Sequence, residues 1–166
     1  MNIIKQAEKF AVSKFKKLKQ PWRQWYYLHS KYVGISASEI NPKLDKDIFK
    51  IAGWLHDVAK VKSDKNHSKE SAKIAKKFLK DKIDDDKLKI ILDCIANHGK
   101  KDHPKTKEGK IIQSADKLAI FYPGVRRFII KATDRKTLDN MLKEHYSEIK
   151  MRKAKLIAKK LSRIIV

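Results

Sequence analysis

IAGWLHDVAK, residues 51–60, sets a histidine and an aspartate side by side in an otherwise apolar run. Ile48, Ile51, Ala52, Leu55 and Ala59 recur at three- and four-residue steps. That periodicity predicts an amphipathic helix over residues 46–61. Adjacent helical residues point about 100° apart. His56 and Asp57 can still converge on one ion, because the shorter carboxylate reaches sideways. Ionisable side chains are costly to bury unless paired or bound to metal, so this dipeptide asks for a partner.

Two other stretches repeat the pattern: YYLHSKYV (26–33) around His29 and IIQSADKLAIF (111–121) around Asp116. Imidazole supplies nitrogen and carboxylate supplies oxygen, a mixed set suited to first-row ions. His29, His56, Asp57 and Asp116 therefore form one candidate ligand set, drawn from three helices. His67, at the start of a helix, and His98, at the end of one, can hold a second ion, with Asp57 as the bridging carboxylate. The expected cofactor is one or two ions, iron or manganese foremost, with zinc, nickel, cobalt or magnesium also admitted. Taken singly, His29 reads as an ordinary core or surface histidine, and Asp116 beside Lys117 as half of a local ion pair. The ordered set within apolar helices carries the reading. His103, in a basic loop, is a candidate substrate contact. His145 reads as structural and Cys94 as core.

Outward from these motifs the chain reads as all-α. Helices are predicted over residues 3–18, 22–33, 46–61, 68–79, 84–97 and 110–121. A long basic one covers residues 138–165. The first stops near Gln20-Pro21, Asn66 is a candidate N-cap and Gly99 a candidate terminator. KKDHPKTKEG (100–109) reads as an exposed loop and Pro123-Gly124 as a turn. The aromatic stripe Trp22, Trp25, Tyr26 reads as core packing more than as a base-stacking platform. One domain spans residues 1–166, with a core at about 22–125 and a helical extension at about 136–165 that packs on the domain or forms a homodimer.

Lys and Arg number 41 against 19 Asp and Glu, a formal charge of +22. Such a field attracts phosphorylated metabolites and nucleic acid. The lysines are spread along the whole chain, however, as a lysine-solvated surface would be. There is no apolar run long enough for a membrane span. The first twenty residues lack the apolar core of a secretory signal. One cysteine cannot form an internal disulfide, so the expected compartment is the cytoplasm.

The early His, the His-Asp pair and the distant Asp together resemble the HD-domain superfamily of metal-dependent phosphohydrolases, over about residues 25–120. The resemblance implies a compact helical bundle with His29, His56, Asp57 and Asp116 as ligands. His67 and His98 look like the extra pair of two-metal members. In HDVAK, Lys60 matches a lysine that faces substrate phosphate, so Asp57 and Lys60 are the expected catalytic residues. SADKLAIFYPGV (114–125) with the following RRFIIKATDRKTLDNML is similar to the symmetric diadenosine-tetraphosphate hydrolases. There Arg126 and Arg127 would serve as phosphate anchors. The short segment between Lys60 and His67 and the KKDHPKTKEG loop depart from that branch.

The implied activity is hydrolysis of a phosphoester or phosphoanhydride, of a nucleotide for preference, by metal-activated water. Two rivals remain at this point. One is a nucleic-acid-binding module without catalysis, suggested by KMRKAKLIAKKLSR (150–163). The other is an oxygenase using a two-iron site.

Overall fold

A computed structural model describes residues 2–62 and 65–163. Among these residues the fold is entirely helical. The helices are α1 (Ile3–Phe15), α2 (Trp22–Ile40), α3 (Lys46–Leu55), α4 (His67–Leu79), α5 (Asp85–Ala96), α6 (Lys107–Leu118), α7 (Pro123–Ala132), α8 (Arg135–Glu148) and α9 (Arg152–Ser162). A 3₁₀ turn, Ala119–Phe121, joins α6 to α7. Among the described residues no helix is long and apolar enough to cross a membrane.

Helix starts follow local chemistry. The side chains of Asn2, Asp45, Asp84, Thr106 and Asp134 each accept a backbone N–H of the first turn that follows, satisfying donors that the helix itself cannot. Asn66 does precede α4, but in the left-handed conformation (φ 56°) and without a side-chain cap bond. Pro123 opens α7 at the position where a missing N–H costs nothing. Helix therefore begins where the sequence suggested a turn.

The core is built around α2, α3, α5 and α6, with α3 and α6 each packed on the other three. The α2–α3 crossing is unusually close. A Cβ on Gly53 would lie 2.7 Å from Gly34 N and 2.9 Å from Ser30 O. Only a residue without a side chain fits there, so this glycine sets the distance between the helices that carry His29 and His56.

Two sequence expectations are corrected. α3 ends at Leu55, so His56 and Asp57 occupy its C-terminal cap and the following turn, outside the regular helix. The expected long C-terminal helix is two helices. Ile149 and Met151 are extended (ψ 118° and 128°). Ile149 is buried, and the Met151 N–H donates to Ser114 Oγ on α6 at 3.2 Å. A straight continuation would carry the last turns away from the core. Folding back buries Ala154 and Ala158 and gains apolar contact. Residues 164–166, at the end of the expected helix, lie outside the described residues.

Candidate metal centre

Five helices and their caps deliver six ligand-type side chains to one place. His29 comes from the middle of α2, and His56 and Asp57 from the end of α3. His67 is the first residue of α4, His98 follows α5, and Asp116 lies in the last turn of α6. All but His67 are buried.

Asp57 stands at the centre. Its Oδ2 lies 3.4 Å from His56 Nε2 and 3.8 Å from His29 Nε2. Its Oδ1 lies 3.4 Å from His67 Nε2 and 3.5 Å from His98 Nε2. Within each histidine pair the Nε2 atoms are 3.2 Å apart. Asp116 Oδ1 joins the first group at 2.9 Å from His29 Nε2 and 3.6 Å from His56 Nε2. Two clusters thus share one carboxylate, His29–His56–Asp57 and Asp57–His67–His98.

The donor set fits metal ions on three grounds. Nitrogen and carboxylate ligands about 2.1 Å from a common ion lie roughly 3.0–3.4 Å from one another, close to the spacings found. His56 Nδ1 and His98 Nδ1 donate to the carbonyls of Gly53 (2.8 Å) and Ile95 (2.7 Å). A carbonyl only accepts, so each Nδ1 carries a proton and Nε2 faces inward, the usual outer-shell arrangement of a metal-binding histidine. Finally, Asp57 Oδ1 is buried and accepts no hydrogen bond among the described residues. An uncompensated carboxylate oxygen is expensive to bury, and a cation removes that cost.

Electrostatics agree. Burial opposes ionisation of Asp57 and Asp116, yet their neighbours hold both carboxyls well below the usual range: chiefly the charge of His56 for Asp57, and the Lys117 charge with the His29 hydrogen bond for Asp116. Burial also disfavours charge on His56, but Asp57 and Asp116 outweigh it and raise its pKa to about 10. Burial dominates at His29, whose pKa is lowered despite Asp116. Without a cation, the carboxylates thus draw a proton onto His56 in the place a metal would take.

Other expected residues are distributed as follows. Lys60 Nζ lies 3.3 Å from Asp57 Oδ2 with a side chain 28% exposed, at the mouth of the cluster. His103 is exposed in the α5–α6 loop and lines a groove with Lys110, Gln113 and Lys150. Arg127 is exposed on α7. Arg126, expected as a phosphate anchor, is 1% exposed and donates to the carbonyl of Leu161 at 2.9 Å. It fastens the last turn of α9 instead of facing the cluster.

Three neighbours adjoin the site without a part in it expected from sequence, one of them, Lys117, in the local ion pair read beside Asp116. Trp25 stacks on the His29 ring (centroids 5.5 Å, 15° between planes) and on Phe128. It sits four residues before His29, a spacing that places both on one helix face. Lys117 binds Asp116 Oδ2 at 2.9 Å and reaches Glu148 at 3.5 Å. His145, read as structural, is pushed down in pKa by burial, while Asp116 favours its charge. Nothing in the sequence linked residues 145–148 to Asp116, since the contact depends on the break after α8.

No solved structure matches the chain. A family model described as HD domain matches residues 26–120, the stretch that runs from α2 through the 3₁₀ turn and contains all six ligand-type residues. The chain belongs to the HD domain family.

Proposed function

We propose that the chain hydrolyses phosphoesters or phosphoanhydrides, nucleotides for preference, at a two-ion centre bridged by Asp57. The observation carrying this reading is the division of Asp57, one oxygen toward each histidine pair. His29, His56, Asp57 and Asp116 would hold one ion, and Asp57, His67 and His98 the other. The mixed nitrogen and oxygen set favours iron or manganese.

Ions at these positions would supply Lewis acidity, polarising a phosphoryl oxygen and lowering the pKa of water. The chain's own residues then have separate tasks. The Gly53 and Ile95 carbonyls orient His56 and His98. Lys60, held by Asp57 yet partly exposed, presents a cation where charge develops on the phosphoryl oxygens. Burial opposes its charge, but Asp57 and Asp116 raise its pKa, so it stays protonated at neutral pH. No nucleophilic side chain is required.

The finer reading, a symmetric dinucleoside tetraphosphate hydrolase, is supported by the resemblance of residues 114–125 and by a donor set large enough for two ions. The cations of α9 suit nucleic acid, and a +22 surface guarantees some salt-sensitive adhesion. The test is hydrolysis by the Mn²⁺- or Fe²⁺-loaded chain of diadenosine tetraphosphate, nucleoside monophosphates, a cyclic dinucleotide and an RNA 3′-phosphate. Turnover of any that disappears with Asp57→Ala supports the reading. A metal-loaded chain inert toward all four, yet binding RNA saturably, would replace it with the binding-module alternative.

A further inference from the structure

The matched family region ends at residue 120, yet the chain returns to the metal centre 28 residues later. Glu148 closes α8 with a side chain only 11% exposed. A carboxylate at a helix C-terminus opposes the helix dipole, so its placement there calls for compensation. Two lysines provide it. Lys100, from the loop after α5, lies 2.7 Å from Glu148 Oε1, and Lys117 Nζ lies 3.5 Å from Oε2. Lys117 in turn holds Asp116 Oδ2 at 2.9 Å, leaving Oδ1 to face His29 and His56.

The backbone around Glu148 is equally well anchored. Ile149 is buried, and the Met151 N–H donates to the buried Ser114 hydroxyl, two residues before Asp116. Lysine is a flexible point charge on a long stem. Without a second carboxylate, Lys117 is free to swing toward Asp57, whose charge it already feels, and to compete with a cation for the cluster.

We propose that Glu148 is a positioning residue of the metal centre: it holds Lys117 on the outer oxygen of Asp116, so that the C-terminal helices complete the site begun by the HD region. The proposal rests on the metal-centre reading above and extends it to residues outside the matched region. It makes Glu148 act through Lys117, with no contact of its own to metal or substrate.

The test is Mn²⁺ titrated by calorimetry into four full-length chains: the natural one, Glu148→Gln, Lys117→Gln and the double variant. Melting curves of the metal-free proteins accompany the titrations. Glu148→Gln should weaken Mn²⁺ binding about tenfold, as loss of an outer-shell partner typically does. In the Lys117→Gln background the same change should cost nothing further, because the residue through which it acts is gone. Equal losses in both backgrounds, or none in either, overturn the proposal. If the natural chain binds no Mn²⁺, the metal-centre reading fails with it; if only the Glu148 effect is missing, that reading stands and this one does not. Should Glu148→Gln not fold, Glu148→Asp takes its place. It keeps the charge but withdraws the carboxylate by about 1.5 Å, one C–C bond, so binding should weaken in the same direction, and unchanged affinity again refutes the idea.

Discussion

Replacing Gly53 with alanine sets two effects against each other. Gly53 lies in the helical body of α3, where alanine is favoured over glycine by roughly 0.5–1 kcal/mol. On propensity alone the variant would be more stable. The new methyl, however, would sit 2.7 Å from Gly34 N, 2.9 Å from Ser30 O and 3.1 Å from Gly34 Cα. All three are backbone atoms of α2, so no side chain can swing away to relieve the contact. Ordinary contact begins at 3.4 Å, so α2 and α3 must separate by about 0.7 Å, and overpacking of this kind costs about 1–3 kcal/mol. At the middle of both ranges the clash wins, leaving a net loss of roughly 1.3 kcal/mol and a melting temperature lower by about 3–5 °C for a chain of this size.

The same displacement reaches the metal centre, because Ser30 adjoins His29 and the Gly53 carbonyl accepts the His56 Nδ1–H. Separating the helices would widen the 3.2 Å His29–His56 spacing beyond the roughly 3.0–3.4 Å that two ligands of one ion share. Mn²⁺ affinity should therefore fall by about tenfold or more. Circular-dichroism melts in EDTA and Mn²⁺ calorimetry read the two effects separately. A Gly53→Ala chain that melts higher and binds Mn²⁺ unchanged would refute the claim that this close approach sets the site.

Three further outcomes are expected. Asp93 accepts from the Lys105 and Thr106 N–H groups, the Thr106 hydroxyl and the Asn97 amide, so Asp93→Ala should destabilise the metal-free chain by about 2–3 kcal/mol. Burial opposes its ionisation, but the Thr106 hydroxyl and N–H prevail and lower its pKa. Its contribution is therefore full above the unfolded value of about 3.9 and lost as pH falls through the lower folded value; a stability gap that stays constant below pH 4 in denaturant titrations would contradict this. Lys60→Ala should retain its metal by elemental analysis while turnover drops about a hundredfold, and unchanged turnover would remove Lys60 from the chemistry. His29 Nδ1 is buried without a hydrogen-bond partner among the described residues, so Trp25 stacking orients that ring. Trp25→Leu should weaken Mn²⁺ binding about tenfold while Trp25→Phe largely preserves it, and equal affinity in both would deny the role.

Most of the candidate ligand set was legible because ionisable residues inside apolar helical periods stand out locally. His29, His56, Asp57 and Asp116 carry that mark, whereas His67 and His98 were read from their places at helix ends and from the family resemblance; the structure brings all six side chains together. Helix identities were legible for the same reason, through periodicity and caps. What escaped depends on contacts between distant segments. No breaker marks the bend at residues 149–151, which arises from docking on Ser114. Arg126 was read from its nearness in sequence to Asp116, but α7 turns it toward the end of α9. Gly53 could not be told from an ordinary helix glycine until Gly34 was seen opposite it.

The most direct test of the account is metal content per chain, measured by elemental analysis of untagged protein reconstituted with Mn²⁺ or Fe²⁺. Two equivalents are expected for the natural chain, one for His67→Ala, and close to none for Asp57→Ala, since Asp57 serves both clusters. Two equivalents retained by Asp57→Ala, or none bound by the natural chain, would contradict a bridged two-ion centre.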